Sequence, residues 1–249
     1  MPPSHFLRLF LRLFLAALLI SSSTYSLAQS TEKIKTELQK QFGEKVQIKS
    51  IKPAPIAGLY EVVANNLVIY TDAQAKFLFQ GDLVDLRTGV NLTEARQEEI
   101  SRINWNDLPL QNAVKMVKGN GSRKIAVFAD PNCGYCKRLE KTFTEMDNIT
   151  VYTFLIPILA ADSSTKSKMI WCSTDPAKTW VNLMVNNIAV TGKSDCINPL
   201  EKNLSLAKSY NVTGTPAIIF TDGNRIPGAA SKEDLEKKLS SLSTLSPIK

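Results

Sequence analysis

The hydrophobic pattern gives the chain an N-terminal part rich in short strands and a C-terminal part in which strands and helices alternate. In the N-terminal part, Ile34, Leu38 and Phe42 recur every four residues, which predicts a short amphipathic helix that stops at Gly43. Three strand-like segments follow, separated by prolines, glycines and an Asn-Asn turn: VQIKSI, GLYEVVANNLVIYTD and KFLFQGDLVDL. So few short elements bury little apolar area, which favours a module that dimerises.

A polar segment follows these strands. The stretch Asn91-Leu92-Thr93-Glu94 resembles a capping box and opens the sequence ARQEEISRINW, in which apolar residues are sparse. So polar a helix is best explained as an arm between domains. We therefore predict an N-terminal dimerisation domain over residues 29–90, a linker helix over residues 91–106 and a C-terminal domain over residues 107–249.

The C-terminal part has the pattern of a strand–helix–strand unit. The runs KIAVFAD and VYTFLIP are continuously apolar, as is typical of buried parallel strands. The helix between them is marked by apolar residues at helical spacing: Cys136, Leu139, Phe143 and Met146. Further along, Asp175-Pro176 predicts a helix start, AIIF and RIPGA flank a hairpin turn, and Ser231 caps a final amphipathic helix.

The first 28 residues have the layout of a secretory signal peptide. Arg8 and Arg12 precede the apolar run LFLAALLI, and Ser26-Leu27-Ala28 provides a small-residue cleavage site. The run is much shorter than the roughly 20 apolar residues that cross a bilayer. An uncleaved membrane anchor is the alternative. We expect residues 1–28 to be removed near Ala28 and the mature chain to be exported to the periplasm.

Charge and histidine content narrow the function classes. Loss of Arg8 and Arg12 would lower the formal net charge from +7 to +5, and lysines and arginines are scattered among acidic residues without a basic tract. This distribution predicts a solvated surface and no nucleic-acid partner. The single histidine, His5, lies in the segment expected to be removed. The mature chain is therefore expected to work without imidazole, metal or cofactor.

The stretch FADPNCGYCKRLE contains the candidate reactive cysteines. It places Cys133 and Cys136 two residues apart at the junction of a predicted strand and helix. Unsatisfied N–H groups and the helix dipole favour a thiolate at a helix N-terminus, and Lys137 and Arg138 add positive charge. Cys133 is the predicted nucleophile. Cys136, on the apolar face, is the predicted resolving thiol, which attacks a mixed disulfide at Cys133.

Two other interpretations of this pair are open. A zinc site would need all four cysteines, at spacings unlike the paired short loops of zinc ribbons. A structural disulfide between Cys133 and Cys136 would close so short a loop that it would constrain little of the unfolded chain. A reactive dithiol is the preferred interpretation.

The second cysteine pair has the spacing of a structural disulfide. Cys172 and Cys196 are 24 positions apart. In the chain-entropy model, a disulfide that closes such a loop stabilises the fold by about 3 to 4 kcal/mol. Neither residue lies at an evident strand-to-helix junction, so a structural disulfide is favoured over a second redox couple.

A proline precedes the predicted AIIF strand, in the sequence Val212-Thr213-Gly214-Thr215-Pro216-Ala217. A proline cannot donate a ladder hydrogen bond, so a free strand edge is expected beside it. CGYC after FADPN, the second cysteine pair and Gly214-Thr215-Pro216 before a strand together resemble the bacterial periplasmic disulfide isomerases of the DsbC/DsbG type. The segment IKPAPIAGLYEV is similar to the N-terminal region of the same family.

The resemblance implies a mixed α+β and α/β fold: a cystatin-like dimerisation domain, a linker helix and a thioredoxin-fold domain with a helical insertion. It also implies a V-shaped homodimer whose active sites face a shared apolar cleft. Pro216 would be cis and pack against the active-site disulfide, and the Thr215 backbone would be free to pair with a substrate strand. Gly134 and Tyr135 would tune the site, and Gly134 in place of a proline favours the isomerase branch over its sulfenic-acid-reducing sister.

The implied activity is that of a thiol:disulfide isomerase with chaperone activity. Its substrates would be unfolded or misoxidised exported proteins, and a membrane reductase of the DsbD type would keep the dithiol reduced. A holdase with a minor redox role and a DsbA-type thiol oxidase are the alternatives. Lys137 stands where relatives can carry a histidine, and Val127 stands where thioredoxins carry a buried acid. The proton acceptor for Cys136 is therefore unassigned by the sequence.

Overall fold

The computed structural model describes residues 29–43 and 45–244, and the chain divides into two compact units between Ile100 and Ser101. The predicted signal peptide, residues 1–28, lies outside the described residues. Within the described residues, no helix combines the length and the apolar character that crossing a bilayer requires.

The N-terminal unit is built on one antiparallel sheet. A helix, α1, spans residues 29–42 and precedes the sheet. The four strands pair in chain order: β1 (Ile48–Pro53), β2 (Leu59–Ala64), β3 (Leu67–Asp72) and β4 (Leu78–Phe79). A separate two-stranded ribbon and a helix complete the unit: β5 (Val84–Asp85), β6 (Val90–Asn91) and α2 (Leu92–Ile100).

The helix α1 packs on this sheet through part of its predicted apolar face. Ile34 and Leu38 are buried in a cluster with Val62 and Ala64, but Phe42 is 51% exposed. The reason is geometric, because each step of four residues exceeds one helical turn by about 40°. After two such steps the Phe42 side chain has rotated away from the sheet.

The helix α2 is shorter than the segment predicted for it, and its polar residues contact the sheet. The Arg96 guanidinium lies 2.9 Å from the Glu61 carboxylate, and the Tyr70 and Thr93 hydroxyls are 2.6 Å apart. The Gln97 side chain bonds the backbone of the β2–β3 turn region at two points. The polar side chains, from which we predicted an arm between domains, therefore form hydrogen bonds to β2 and β3.

The chain leaves the helical path after Ile100 because its next residues join the C-terminal unit. The Ile103 N–H donates to the Gly223 carbonyl at 2.9 Å, and the Ile103 side chain is 2% exposed. The Asn104 side chain then caps a 3-10 turn, Trp105–Asp107. Gly223 has a φ of +85°, and a Cβ there would lie 2.6 Å from the Ile103 carbonyl oxygen. This close approach requires glycine.

The C-terminal unit has a five-stranded mixed sheet with the order β11-β10-β8-β9-β7. Its strands are β7 (Val114–Lys118), β8 (Arg123–Ala129), β9 (Ile149–Leu155), β10 (Ala217–Phe220) and β11 (Arg225–Pro227). Only β8 and β9 pair in parallel within this sheet. They flank the first helix of the unit, so the predicted strand–helix–strand unit is present. The helices are α3 (Gly134–Thr144), α4 (Ser163–Trp171), α5 (Pro176–Met184), α6 (Leu200–Ser209) and α7 (Lys232–Thr244).

The sheet is buried on both faces, as the continuous apolar run of β8 predicts. Ile125 and Val127 point into a core shared with α3, α5 and α7, whereas Ala126 and Phe128 point into a core shared with α6. The ring of Phe128 stacks on that of Phe154 of β9, with centroids 5.1 Å apart. The helices α4 and α5 form the insertion between β9 and β10.

Candidate active site

The first cysteine of the CGYC motif caps the helix α3. Cys133 has an extended backbone conformation, and its Sγ accepts a hydrogen bond from the Cys136 N–H at 3.1 Å. Its carbonyl accepts the first helical bond, from the Lys137 N–H at 3.0 Å. The sulfur therefore lies at the positive end of the helix dipole, next to N–H groups that a thiolate would satisfy.

Both sulfurs are free thiols in this structure and both are buried. Cys133 is 3% exposed and Cys136 is 1% exposed, whereas Tyr135 between them is 60% exposed. Burial raises the pKa of Cys136 well above its ordinary value, and interaction with the Cys133 sulfur raises it further. Cys136 is therefore held as a neutral thiol until a base removes its proton.

The loop before β10 contacts the first sulfur. The Thr215–Pro216 peptide bond is cis, and the Cys133 thiol donates to the Thr215 carbonyl at 3.3 Å. The Pro216 carbonyl accepts from the Gly228 N–H at 2.7 Å. The residues that the sequence assigned to the dithiol and to the proline loop thus meet at one place.

A buried carboxylate that sequence reasoning missed fixes the turn before Cys133. One oxygen of Asp130 accepts from the Asn132 N–H at 2.7 Å and from the Ser163 hydroxyl at 2.9 Å. The other oxygen accepts from the backbone N–H groups of Ile158 and Leu159, at 2.7 and 2.9 Å. The Asp130 carbonyl also accepts from the Cys133 N–H. The carboxylate therefore ties the turn before Cys133 to the segment after β9 and to the start of α4.

Two adjoining cavities open beside Thr215, whose carbonyl oxygen lies 3.3 Å from the Cys133 sulfur. The larger, about 440 Å³, lies between α3 and the segment after β11, and Tyr135, Arg138, Thr215 and Ser231 contribute to its lining. The smaller, about 220 Å³, follows the proline loop and shares Thr215 with the larger cavity. The Arg138 guanidinium lies 5.4 Å from the centre of the Tyr135 ring. The two cavities share Thr215 and Gly228, and together they are called the groove below.

The other cysteine pair is bonded. Cys172 and Cys196 form a disulfide with a Cα–Cα distance of 5.8 Å, which joins the end of α4 to the segment before α6. Beside this disulfide, the Trp171 indole N–H donates a hydrogen bond to the Ile197 carbonyl. Among the described residues, no group of three or more His, Cys, Asp or Glu side chains could hold a metal ion.

A second buried acid was also missed. Glu140 of α3 is 2% exposed, and its Oε1 accepts a hydrogen bond from the Trp180 indole N–H of α5 at 2.7 Å. Burial raises the pKa of Glu140 to about 7, against an opposing effect of the Trp180 hydrogen bond. The available signal was an acid four residues after Cys136, at a position where the helical period predicts an apolar side chain.

Two family models match the chain in series. Residues 25–94 match the N-terminal domain of disulfide bond isomerase proteins, and residues 110–243 match a thioredoxin-like domain. The predicted fold class, an α+β N-terminal domain followed by a thioredoxin-fold domain with a helical insertion, is confirmed.

Three proteins of related sequence are thiol:disulfide interchange proteins. The probable thiol:disulfide interchange protein DsbC of Bordetella parapertussis is 48% identical over 182 residues, which cover 73% of this chain and 65% of that protein. The Bordetella avium protein of the same name is 36% identical over 209 residues, covering 84% and 74%. Thiol:disulfide interchange protein DsbC of Escherichia coli is 27% identical over 202 residues, covering 78% and 83%.

A solved structure agrees with these relatives. The crystal structure of a disulfide interchange protein from Neisseria gonorrhoeae superposes with a TM-score of 0.52 at 38% identity, covering 54% of this chain and 97% of that one. The resemblance inferred from the two cysteine pairs and the Thr-Pro loop is therefore confirmed: the chain belongs to the DsbC family of thiol:disulfide interchange proteins.

Proposed function

We propose that this protein is a thiol:disulfide isomerase and reductase that rearranges wrong disulfides in exported proteins through Cys133 and Cys136. The observation that carries the proposal is the position of the Cys133 sulfur. It caps α3, accepts the Cys136 N–H at 3.1 Å and lies 3.3 Å from the Thr215 carbonyl oxygen. The helix end places backbone N–H groups and partial positive charge next to this sulfur.

The reaction begins when the Cys133 thiolate attacks a substrate disulfide. A bond forms between Cys133 and one substrate sulfur, and the other substrate sulfur leaves as a thiolate. In isomerisation, a different substrate thiolate attacks the mixed disulfide and releases Cys133 unchanged. In reduction, Cys136 attacks Cys133 instead, so the enzyme pair is oxidised by two electrons and the substrate is reduced.

The groove beside Thr215 would hold the substrate backbone. Thr215 lines both cavities, and a Cβ on Gly134 would meet no other atom within 4 Å. The surface at Gly134 is therefore open to a substrate. The exposed Tyr135 ring, next to the Arg138 guanidinium, forms one wall of the groove. We assign Gly134, Tyr135, Thr215 and Pro216 to substrate positioning and tuning of the dithiol.

Exposed apolar side chains in the C-terminal unit support chaperone activity. Ile158 and Leu159, whose N–H groups bind Asp130, are 41% and 53% exposed, and Tyr135 is 60% exposed. These side chains lie on segments tied to the turn before Cys133. Unfolded chains would bind this surface by apolar contact while their sulfurs react.

The N-terminal unit supports a homodimer. Phe77, Phe79 and Leu86 are 77%, 52% and 92% exposed, although they are large apolar residues. They lie in and around the two-residue edge strand β4 and the ribbon strand β5. We propose that a second copy of the chain covers this surface. We further propose a periplasmic location after loss of the signal peptide, and a DsbD-type membrane reductase as the source of electrons.

Refolding of a substrate with scrambled disulfides tests the proposal. Cys133→Ala is expected to abolish the recovery of native substrate, and Cys136→Ala is expected to keep some isomerisation but to accumulate mixed disulfides. Activity of Cys133→Ala equal to that of the unchanged protein would contradict the proposal. A DsbA-type oxidase would instead oxidise a reduced substrate and fail to rescue a scrambled one.

A further inference from the structure

Two buried carboxyl groups lie in the described part of the C-terminal unit, and they differ in how fully they are satisfied. Asp130 receives four hydrogen bonds, two on each oxygen. Among the described residues, Glu140 receives one, from Trp180. An ionised carboxyl group offers about four acceptor positions. Asp130 is therefore saturated with hydrogen bonds, whereas Glu140 has acceptor positions that no described residue fills.

Glu140 lies one helical turn from the resolving thiol. Cys136 and Glu140 belong to the same buried face of α3, together with Leu139 and Phe143. Side chains four residues apart on a helix are neighbours, with about 5 to 6 Å between their Cβ atoms. Helical side chains also lean toward the N-terminus, and Cys136 lies on that side of Glu140.

Resolution of a mixed disulfide needs a base at this place. Only a thiolate attacks a disulfide, and burial opposes the ionisation of Cys136. Water has little access, because Cys136 is 1% exposed. The position at which thioredoxins carry a buried acid holds Val127, which is 1% exposed and cannot accept a proton.

The surroundings of Glu140 suit a group that exchanges a proton near neutral pH. Burial raises its pKa to about 7, so its charged and neutral forms are both populated there. Charged side chains on α3 and α5 lie outside the buried face: Lys137, Arg138, Lys141 and Lys178. The Lys137 amine donates instead to the Asn187 side chain. Cys136 is the titratable group that shares the buried face with Glu140.

We propose that Glu140 accepts the proton of Cys136 when Cys136 resolves the mixed disulfide, an inference that rests on the proposed function. The Cys136 S–H bond breaks and its proton passes to the Glu140 carboxylate. The Cys136 sulfur then bonds to Cys133 while the bond from Cys133 to the substrate sulfur breaks. The substrate sulfur leaves with the electron pair as a thiolate and takes up a proton. In the reverse direction, protonated Glu140 returns the proton to Cys136.

The reaction of the reduced protein with the disulfide reagent dithiobis(nitrobenzoate) separates attack by Cys133 from resolution by Cys136. Attack by Cys133 releases a first thionitrobenzoate, and resolution by Cys136 releases a second. Glu140→Gln is expected to keep the first release rate and to slow the second at least about tenfold at neutral pH. The second release of the unchanged protein should rise with pH through about 7, and Glu140→Gln should lose that rise. Glu145→Gln, the same change at an exposed residue just beyond α3, is the matched control and should behave as the unchanged protein.

The conservative variant Glu140→Asp distinguishes proton transfer from packing. It retains a carboxyl group, so it should keep a pH-dependent second release that is faster than that of Glu140→Gln. Equal second-release rates in the two variants would overturn the inference, as would an unchanged rate and pH profile in Glu140→Gln. Loss of the first release from the unchanged protein would instead refute the proposed role of Cys133.

Discussion

The Asp130 carboxylate accepts a hydrogen bond from the Ser163 hydroxyl at 2.9 Å, and this bond connects the turn before Cys133 to the first residue of α4. The Asn132 side chain extends the connection, since its amide nitrogen donates to Ser163 and Asp162 at 2.8 Å and its oxygen accepts from the Lys166 amine. The helical insertion therefore helps to hold the N-terminal end of α3 in position, in addition to covering the sheet.

Asp130→Asn should destabilise the fold and weaken the active site together. The Asp130 carboxylate accepts four hydrogen bonds, whereas the amide nitrogen of an asparagine is itself a donor. At least one buried donor would therefore lose its acceptor. We expect a loss of about 2 to 3 kcal/mol in the free energy of unfolding. Denaturant unfolding measures it, with the exposed Asp195→Asn as a control that should change it little. Equal stability of the Asp130 and Asp195 variants would contradict the assigned role.

Removal of the bonded pair by Cys172→Ala with Cys196→Ala should affect stability more than chemistry. The disulfide closes a loop of 24 positions, and its loss should lower the free energy of unfolding by about 3 kcal/mol. Neither residue contacts Cys133 or Cys136 through a hydrogen bond in the described structure. Thermal unfolding and the rate of Cys133 alkylation measure the two effects. A large loss of alkylation rate in a folded variant would assign the pair a role at the active site.

Glu140 should make stability fall as pH rises. Its pKa is raised from 4.5 to about 7 in the folded protein, so the folded chain holds a proton that the unfolded chain has lost between these pH values. Below about pH 4.5 both states are protonated and no penalty exists, whereas above about pH 7 the full penalty applies. The difference is on the order of 3 kcal/mol.

Comparison of the free energy of unfolding of Glu140→Gln with that of the unchanged protein, at pH 4 and pH 8, isolates this group. From pH 4 to pH 8, the free energy of unfolding of the variant should rise relative to that of the unchanged protein. A difference that does not change with pH would mean that Glu140 titrates normally.

Charged residues on the exposed apolar surface of the N-terminal unit should prevent dimerisation. Phe77→Asp with Leu86→Asp introduces carboxylates at positions that are 77% and 92% exposed, so neither change disturbs the core of the unit. We expect sedimentation velocity to give a dimer for the unchanged protein and a monomer for the variant. Ile197→Asp, at a residue 98% exposed in the C-terminal unit, is the matched control and should remain dimeric. A monomeric unchanged protein would refute the proposed homodimer.

Local patterns in the sequence predicted the elements that carry the dithiol. The apolar run of β8 and the helical spacing from Cys136 to Phe143 depend on neighbours in the chain, and both elements form as expected. The end of α2 could not be predicted from local patterns, because it depends on a backbone hydrogen bond from Ile103 to the distant Gly223. Phe42 shares the predicted apolar face of α1 but is 51% exposed, because strict four-residue spacing drifts around a helix.

The partners of the buried acids could not be predicted from local patterns. Asp130 bonds residues 28 to 33 positions away, and Glu140 bonds Trp180 at a separation of 40 positions. Periodicity identifies Glu140 as a polar residue on an apolar face, but only the tertiary structure supplies the indole donor and the exclusion of water. Acids of this kind are apparent in the sequence only as departures from the pattern.

In the mechanism proposed here, the helix end activates the Cys133 sulfur, whereas burial makes the Cys136 thiol less reactive. Competitive alkylation of the fully reduced protein with a limiting amount of iodoacetamide at neutral pH tests it most directly, with the modified residue identified by peptide mass spectrometry. We expect Cys133 to be modified well before Cys136, and Cys136 to react slowly even in Cys133→Ala. Equal rates at the two cysteines, or faster modification of Cys136, would contradict it.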